Sequence, residues 1–395
     1  MSNNPQSLQE RIRSNLSEVF LNKENQLGLH EPRFNRVDEE YLLNCIKSGW
    51  VSSAGPYIKN FEDKISKISG TKHCIAVVNG TCGLQMALNV AGVSAGDEVL
   101  VPSLTFVATA NAISHLGAIP HFIEASRNTL GIDPFYLKDY LNKISEYRGN
   151  YLYNKKTGNK ITAIIPMHVF GYPVEMDELL EVTKQFNITI IEDAAEALGS
   201  TYKKRGCGSL GKLGVFSFNG NKIITSGGGG AIVTNDDELA VRLRHITTTA
   251  KVSHEWAYYH DEVGYNYRMP NLNAALGLAQ LTRFDDYLRS KKRLSKIYKN
   301  IFEKFNEVEV FSGQPSCEPN HWLNAISLKP GHEHKRDVIL NFLNEHKIMV
   351  RPIWEPLHTL PMYRSNPRSD LEVTEDLASR FICLPSSPHL VDNKL

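Results

Sequence analysis

No stretch of this 395-residue chain stays apolar for long. The run Cys74–Val78 is among the longest, far short of the roughly 18 residues of a membrane helix. Cysteine is scarce, with six residues (Cys45, Cys74, Cys82, Cys207, Cys317 and Cys383) scattered without a C-x-x-C pair. That spacing argues against a disulfide framework and a clustered zinc site, and favours reduced thiols. Excess charge is lacking too: 44 Lys and Arg stand against 43 Asp and Glu. A nucleic-acid or anionic-membrane binder would carry a basic surplus. The first twenty residues have no apolar centre for a signal peptide and are too acidic for a transit peptide. His332-Glu333-His334 follows Pro330-Gly331 in a polar stretch and reads as a solvated turn, so no metal is expected. At 42% hydrophobic and 22% charged, the composition is that of a globular enzyme, expected in the cytoplasm.

The chain divides by pattern into three parts. Residues 1–28 are polar and read as an arm or a surface helix. Residues 29–270 carry two amphipathic helices and then alternating strands and helices, the mark of a mainly parallel sheet covered on both faces. Strand candidates begin at Cys74, Glu98, Pro120, Ile161, Ile188, Gly214 and Ala231. Helix candidates include Thr81–Ala91, Val107–Leu116, Pro134–Ile144 and Met176–Phe186. Residues 271–395 read as a long helix to about Phe302 and a smaller α+β unit. Arg289, Lys291, Lys292, Arg293 and Lys296 on that helix are taken as a solvated face. The smaller unit holds a strand at Trp322–Leu328, a helix at Arg336–His346, a strand at Ile348–Ile353 and a last helix near Leu371–Phe381.

Ligands of open α/β sheets bind outside the carboxyl ends of the strands. Three such ends carry chemistry. In Val77-Val78-Asn79-Gly80-Thr81-Cys82-Gly83 a strand turns into a helix whose N-terminus suits a phosphate, or is simply capped. In Ile190-Ile191-Glu192-Asp193-Ala194-Ala195-Glu196 one acidic residue is expected to face the cleft and to need a cationic partner; the alternative is a helix N-cap. In Phe216–Thr225 one lysine, Lys222, leads into the glycines 227–230. A lysine 29 positions after a strand-end aspartate suggests pyridoxal phosphate. That cofactor needs a Schiff-base lysine, a carboxylate on its ring nitrogen, a phosphate-holding helix start and an aromatic neighbour. Lys222, Asp193, Thr81, Ser217 and Phe106 supply those types.

The segments SGWVSSAGP, VVNGTCGLQMAL, VPSLTFVATANAI, IIEDAAEALGS, FSFNGNKIITSGGGGAIVTND and GYNYRMPNLNAALGLAQL resemble the pyridoxal-phosphate-dependent nucleotide-sugar aminotransferases of the DegT/StrS group. The likeness runs from His30 to the C-terminal region. It implies an α/β fold of the aspartate-aminotransferase type I class, with a three-layer, mainly parallel central sheet and a smaller C-terminal α+β domain. It further implies that Lys222 carries the cofactor, Asp193 bonds the pyridine nitrogen and Phe106 stacks on the ring. Thr81, the Cys82 backbone and Ser217 would hold the phosphate. Asn266 would reach the cofactor phosphate of a second subunit, making a homodimer with shared sites. Glu196 stands near the cofactor where many relatives have His or Gln. HEPRF, SGWVSSAGP, PMHVFGYPVEMD, HDEVGYNYRMPN and RPIWEPLH look most like the branch serving legionaminic acid and N-acetylbacillosamine. That branch implies amination, with glutamate as donor, at C4 of a UDP-2-acetamido-2,6-dideoxy-4-ketohexose. The alternatives are a dTDP- or GDP-linked 4-keto-6-deoxy sugar, or a non-catalytic regulatory paralogue. A dehydratase relative would carry His in place of Lys222. Ser52, Gly55, Arg351 and His358 are candidates for substrate contact.

Overall fold

In the computed structural model, which describes residues 6–21 and 26–392, the core is a seven-stranded sheet. Its strands are β1 (His73–Val77), β2 (Glu98–Pro102), β3 (Ile119–Ile123), β4 (Ile161–Ile164), β5 (Thr189–Asp193), β6 (Leu213–Ser217) and β7 (Gly230–Thr234), in the spatial order β1-β7-β6-β5-β4-β2-β3. Only β7 runs against its neighbours, so six carboxyl ends point the same way. The strands are buried nearly throughout because helices cover both faces. All seven strands and four helices stand where the hydrophobic pattern places them, within one or two residues.

The departures have local causes. The segment Ser145–Arg148/Tyr151–Asn154 is a hairpin turning at Gly149, whose φ of +61° suits glycine. It was hidden because Ser145-Glu146-Tyr147-Arg148 lacks an apolar alternation. The expected long helix is two, Asn271–Leu281 and Phe284–Phe302. At the break Thr282 Oγ1 donates to the Ala279 carbonyl, and Arg283 pairs with the buried Asp38 at 2.6 Å. The strand expected at 348–353 shrinks to Arg351–Pro352, because the N–H groups of Ile348, Met349 and Val350 are taken by Leu343, Leu27 and Asn344 instead. The last helix ends at Arg380, and Phe381–Leu384 becomes an interior strand of a four-stranded antiparallel sheet with Val308–Val310, Asn324–Leu328 and Arg351–Pro352.

The basic run is not wholly solvated. Arg289, Lys292, Arg293 and Lys296 are exposed, but Lys291 is fully buried. Of the two readings of the first 28 residues, the described part takes the helix, docked by its apolar face. The helix Leu8–Leu16 opens with a capping box at Ser7 and Glu10. It buries Leu8, Ile12 and Leu16 with Phe20 and Leu27 against Leu294, Tyr298, Ile339 and Ile348 of the smaller unit. Leu27 also pairs with Ile348 through a parallel bridge. The spacing 8, 12, 16, 20 is one helical stripe, diluted in the sequence by the charged residues between.

Leu16→Ala therefore removes a fully buried side chain, and we expect a loss of about 2–5 kcal/mol of stability, read by urea unfolding. A surface arm would give a change near zero.

Candidate active site

Strand β5 ends in two acids with opposite fates. Glu192 points away from the cleft and is fully buried. It accepts from the N–H groups of Gly208, Leu210 and Gly211 at 2.6–2.7 Å and pairs with His168 Nε2 at 3.0 Å. His168 Nδ1 accepts from the Val174 N–H, so Nε2 carries the proton. Those four partners satisfy Glu192, which ties the 208–211 loop to the sheet. Asp193 faces the cavity. Its carboxylate accepts from Thr109 Oγ1 at 2.8 Å and the Ala195 N–H at 3.1 Å. No cation is hydrogen-bonded to it among the described residues, and burial pushes its pKa up.

At the neighbouring strand ends, Val77, Gly230 and Ser217 share one register row. The helix Gly80–Val90 starts directly above them. A Cβ on Gly230 would lie 2.5 Å from the Asn79 carbonyl carbon, and one on Gly80 would lie 3.1 Å from Ser217 Cβ. Glycine at both places lets the helix start settle onto the strand ends. Asn79 caps the helix by accepting from the Cys82 N–H at 2.8 Å. The Cys82 backbone expected to hold a phosphate is thus already engaged. The N–H groups of Gly80 and Thr81 lie in the first helical turn, where no intrahelical acceptor exists. Thr81 and Ser217 both line the cavity beside them.

Lys222 follows a turn closed by its own N–H to the Asn219 carbonyl. The glycine loop beyond it is pinned by Asn273 Nδ2, which donates to the carbonyls of Ser226 and Gly228. Lys222 Nζ donates to Glu196 Oε1 at 3.2 Å and lies 4.2 Å from the centre of the Trp322 ring. Glu196 Oε2 accepts from the Phe170 N–H, which holds Phe170 at a left-handed φ of +55°. Burial raises the Glu196 pKa to about 7; the charge of Lys222 pulls it back down.

These groups line one cavity of about 610 Å³. It gathers Thr81, Phe106, Asp193, Glu196, Ser217 and Lys222, and Arg351 stands at its edge. Phe106 is half exposed there. Arg351 is exposed, its guanidinium bonded to Asn344 and the Val350 carbonyl. Three expected contacts lie elsewhere. His358 is buried between Ser103 Oγ and Glu375, where it fastens the end of β2 to the helix Glu372–Arg380. The loop of Ser52 and Gly55 wraps the Asn271 side chain, and Gly55 borders a separate recess with Arg244 and Arg268. Asn266 is exposed and does not line this chain's cavity. Sequence reasoning missed Thr109 and Phe170. Thr109 lies one helical turn beyond Phe106 and carried no signal of its own. Phe170 is a non-glycine residue in a conformation that pattern does not reveal. Trp322, expected only as the start of a strand, faces the same cavity.

The residues fit pyridoxal phosphate. A buried carboxylate without a cation suits a protonated ring nitrogen, and the close-packed helix start with two hydroxyls suits a phosphate.

Comparison with known proteins agrees. Residues 33–395 match the DegT/DnrJ/EryC1/StrS aminotransferase family. The chain is 37% identical to the GDP-perosamine synthase of Escherichia coli O157:H7, over 93% of this chain and 95% of that one. The crystal structure of DesI in the presence of its TDP-sugar product superposes with a TM-score of 0.81 at 28% identity, covering 94% of this chain and 91% of that one. A DegT DnrJ EryC1 StrS aminotransferase from Brucella abortus gives the same TM-score at 28% identity, covering 90% and 92%.

Glu196 yields a pH signature in the cofactor-free protein. Its folded pKa near 7 lies above the ordinary 4.5, so the folded state binds the extra proton between those values. This contribution is fully present below about pH 4.5 and is lost as pH rises to about 7. We expect the wild type to lose stability relative to Glu196→Gln across that window, measured by denaturant midpoints. Parallel curves would show that Glu196 does not titrate there.

Proposed function

From the premise that the chain belongs to the DegT/DnrJ/EryC1/StrS aminotransferase family and is a pyridoxal-phosphate-dependent sugar aminotransferase, we propose that it aminates C4 of a nucleotide-linked 4-keto-6-deoxy sugar. The observation that carries this reading is the meeting of Lys222, Glu196 and Asp193 in one cavity beside the Thr81 and Ser217 hydroxyls. Within the class we favour a UDP-2-acetamido-2,6-dideoxy-4-ketohexose as acceptor and glutamate as donor. Support comes from the branch-like segments HEPRF, PMHVFGYPVEMD, HDEVGYNYRMPN and RPIWEPLH. A GDP-linked 4-keto-6-deoxy sugar is the second reading, favoured by relatives named GDP-perosamine synthase. Identity of 37% leaves most positions free to differ, including those that meet a base or a C2 substituent.

Bound here, pyridoxal phosphate supplies an electron sink and a carrier for the amino group. The chain's own residues set the rest. Lys222 would hold the cofactor covalently, and Asp193 would keep a proton on its ring nitrogen. Thr81 and Ser217 would hold its phosphate, and Phe106 would cover its ring. Lys222 Nζ is then the base positioned to take and return a proton at the sugar carbon that gains nitrogen. Glu196 Oε1, already bonded to that Nζ, orients it. Arg351, at the cavity edge, offers charge to a sugar diphosphate.

The acceptor is tested by competition among UDP-, dTDP- and GDP-linked 4-keto sugars, the UDP sugars with and without the acetamido group, with products weighed by mass spectrometry. We expect the acetamido UDP sugar to win by at least tenfold in kcat/KM, since a site built to bond an amide leaves polar groups unpaired without it. A GDP preference would install the second reading.

We further propose a homodimer in which Asn266, with the loop of Ser52 and Gly55, serves the site of the other subunit. Its support is that these residues lie outside their own chain's cavity while the resemblance gives them cofactor or substrate roles. Mixing Lys222→Ala with Asn266→Ala protein should restore activity, because one site of each mixed dimer regains both residues. Proven subunit exchange without rescue would refute sharing.

A further inference from the structure

Lys291 is a lysine in an unusual place. It projects from the helix Phe284–Phe302 into full burial, and no carboxylate meets it among the described residues. Its Nζ donates to two main-chain carbonyls, Trp322 at 2.6 Å and Ser386 at 2.5 Å. An ammonium has three N–H donors, and among the described residues the third has no acceptor. A neutral amine has two, and both are used. Burial acts in the same sense, pushing the Lys291 pKa well below the usual lysine range.

What Lys291 holds is the residue under Lys222. The Trp322 ring faces Lys222 Nζ at 4.2 Å, and its indole N–H donates to the carbonyl of Asn221, the residue before Lys222. The Trp322 main-chain N–H donates to Asn320 Oδ1, while Asn320 Nδ2 donates to the carbonyl of Glu196. One tryptophan is thereby tied to both members of the Lys222–Glu196 pair. We propose that Trp322 is the platform that sets the position of Lys222, and that Lys291, bonded to the Trp322 and Ser386 carbonyls, is a positioning residue acting through it. This rests on the reading of Lys222 as the cofactor-bearing lysine.

The test uses holoenzyme of Trp322→Phe, Trp322→Leu, Lys291→Met and the double variant Lys291→Met/Trp322→Leu. It reads kcat and KM for the sugar, the visible circular dichroism of the bound cofactor, and the melting temperature. Trp322→Leu should lower kcat roughly 3–30-fold, the range expected for a lost ring–cation contact, with KM within about twofold and a weaker visible dichroism. Trp322→Phe, which keeps a ring face, should stay within about threefold of wild type in kcat. Lys291→Met should show the Trp322→Leu signature, and the double variant should be no slower than Trp322→Leu by more than about twofold, because the two act in series. Losses that multiply in the double variant would overturn the coupling. Trp322→Leu with wild-type kcat and dichroism would overturn the platform, and that result needs no folded Lys291→Met. The cofactor reading is judged separately, by loss of the bound absorption band in Lys222→Ala.

Discussion

The structure turns on two carboxyl groups kept out of water in one cavity, with one ammonium bonded to only one of them. Asp193 and Glu196 are both buried, and among the described residues Lys222 is the one lysine lining their cavity. Burying an ionised carboxylate is costly unless hydrogen bonds or opposite charge offset it. Glu196 takes the ammonium and the Phe170 N–H; Asp193 takes a hydroxyl and an amide. The arrangement therefore holds one charge short, and the protonated cofactor ring proposed to sit on Asp193 would complete it. The pKa directions of the two acids, both upward, express the same deficit.

The rest of the fold serves to keep those groups rigid. Glu192, one residue before Asp193, gathers three amides and His168, so the end of β5 cannot twist. Asn273 fixes the glycine loop, Asn320 fixes the backbone of Glu196, and Asn79 fixes the helix start. Side-chain amides suit this task because each bonds in several directions without bringing a charge that would compete with Lys222. The smaller unit reaches the cavity through Trp322, Arg351 and Trp354, so its packing on the first helix bears on the chemistry.

Strand ends were legible because apolar runs closed by glycine, acid or hydroxyl residues mark them directly. All seven strands of the sheet and the residues Asp193, Thr81, Ser217 and Lys222 follow from that signal. What escaped was set by tertiary context. Phe381–Leu384 continues the apolar spacing of the helix before it and becomes a strand only because Asn324–Leu328 lies alongside. Lys291 looks like its four exposed neighbours until its helix is docked. His358 sits in a motif-like stretch, yet its two ring nitrogens are taken by Ser103 and Glu375. Ser52 and Gly55 escaped for a related reason: a short run of Ser and Gly shows that backbone can approach closely, but not that Asn271 is what it approaches.

The cavity also separates the part of the chemistry that is common from the part that is selective. Its floor is polar and fully bonded, with every carboxylate oxygen of Asp193 and Glu196 given a donor. Its walls toward the smaller unit are largely apolar, with the Phe170 and Trp354 rings 5.4 Å apart and Ile353 and Cys383 beside them. A floor so constrained tolerates little change, since moving one donor strands a buried acid. The walls carry no such debt, and hydrophobic surfaces accept changes of shape at small cost. Discrimination among the 4-keto sugars of the proposed function would therefore come from the walls, from Arg351 at the rim and from any residues a second subunit brings. In the proposed function the chemistry is set at the floor and the choice of substrate above it.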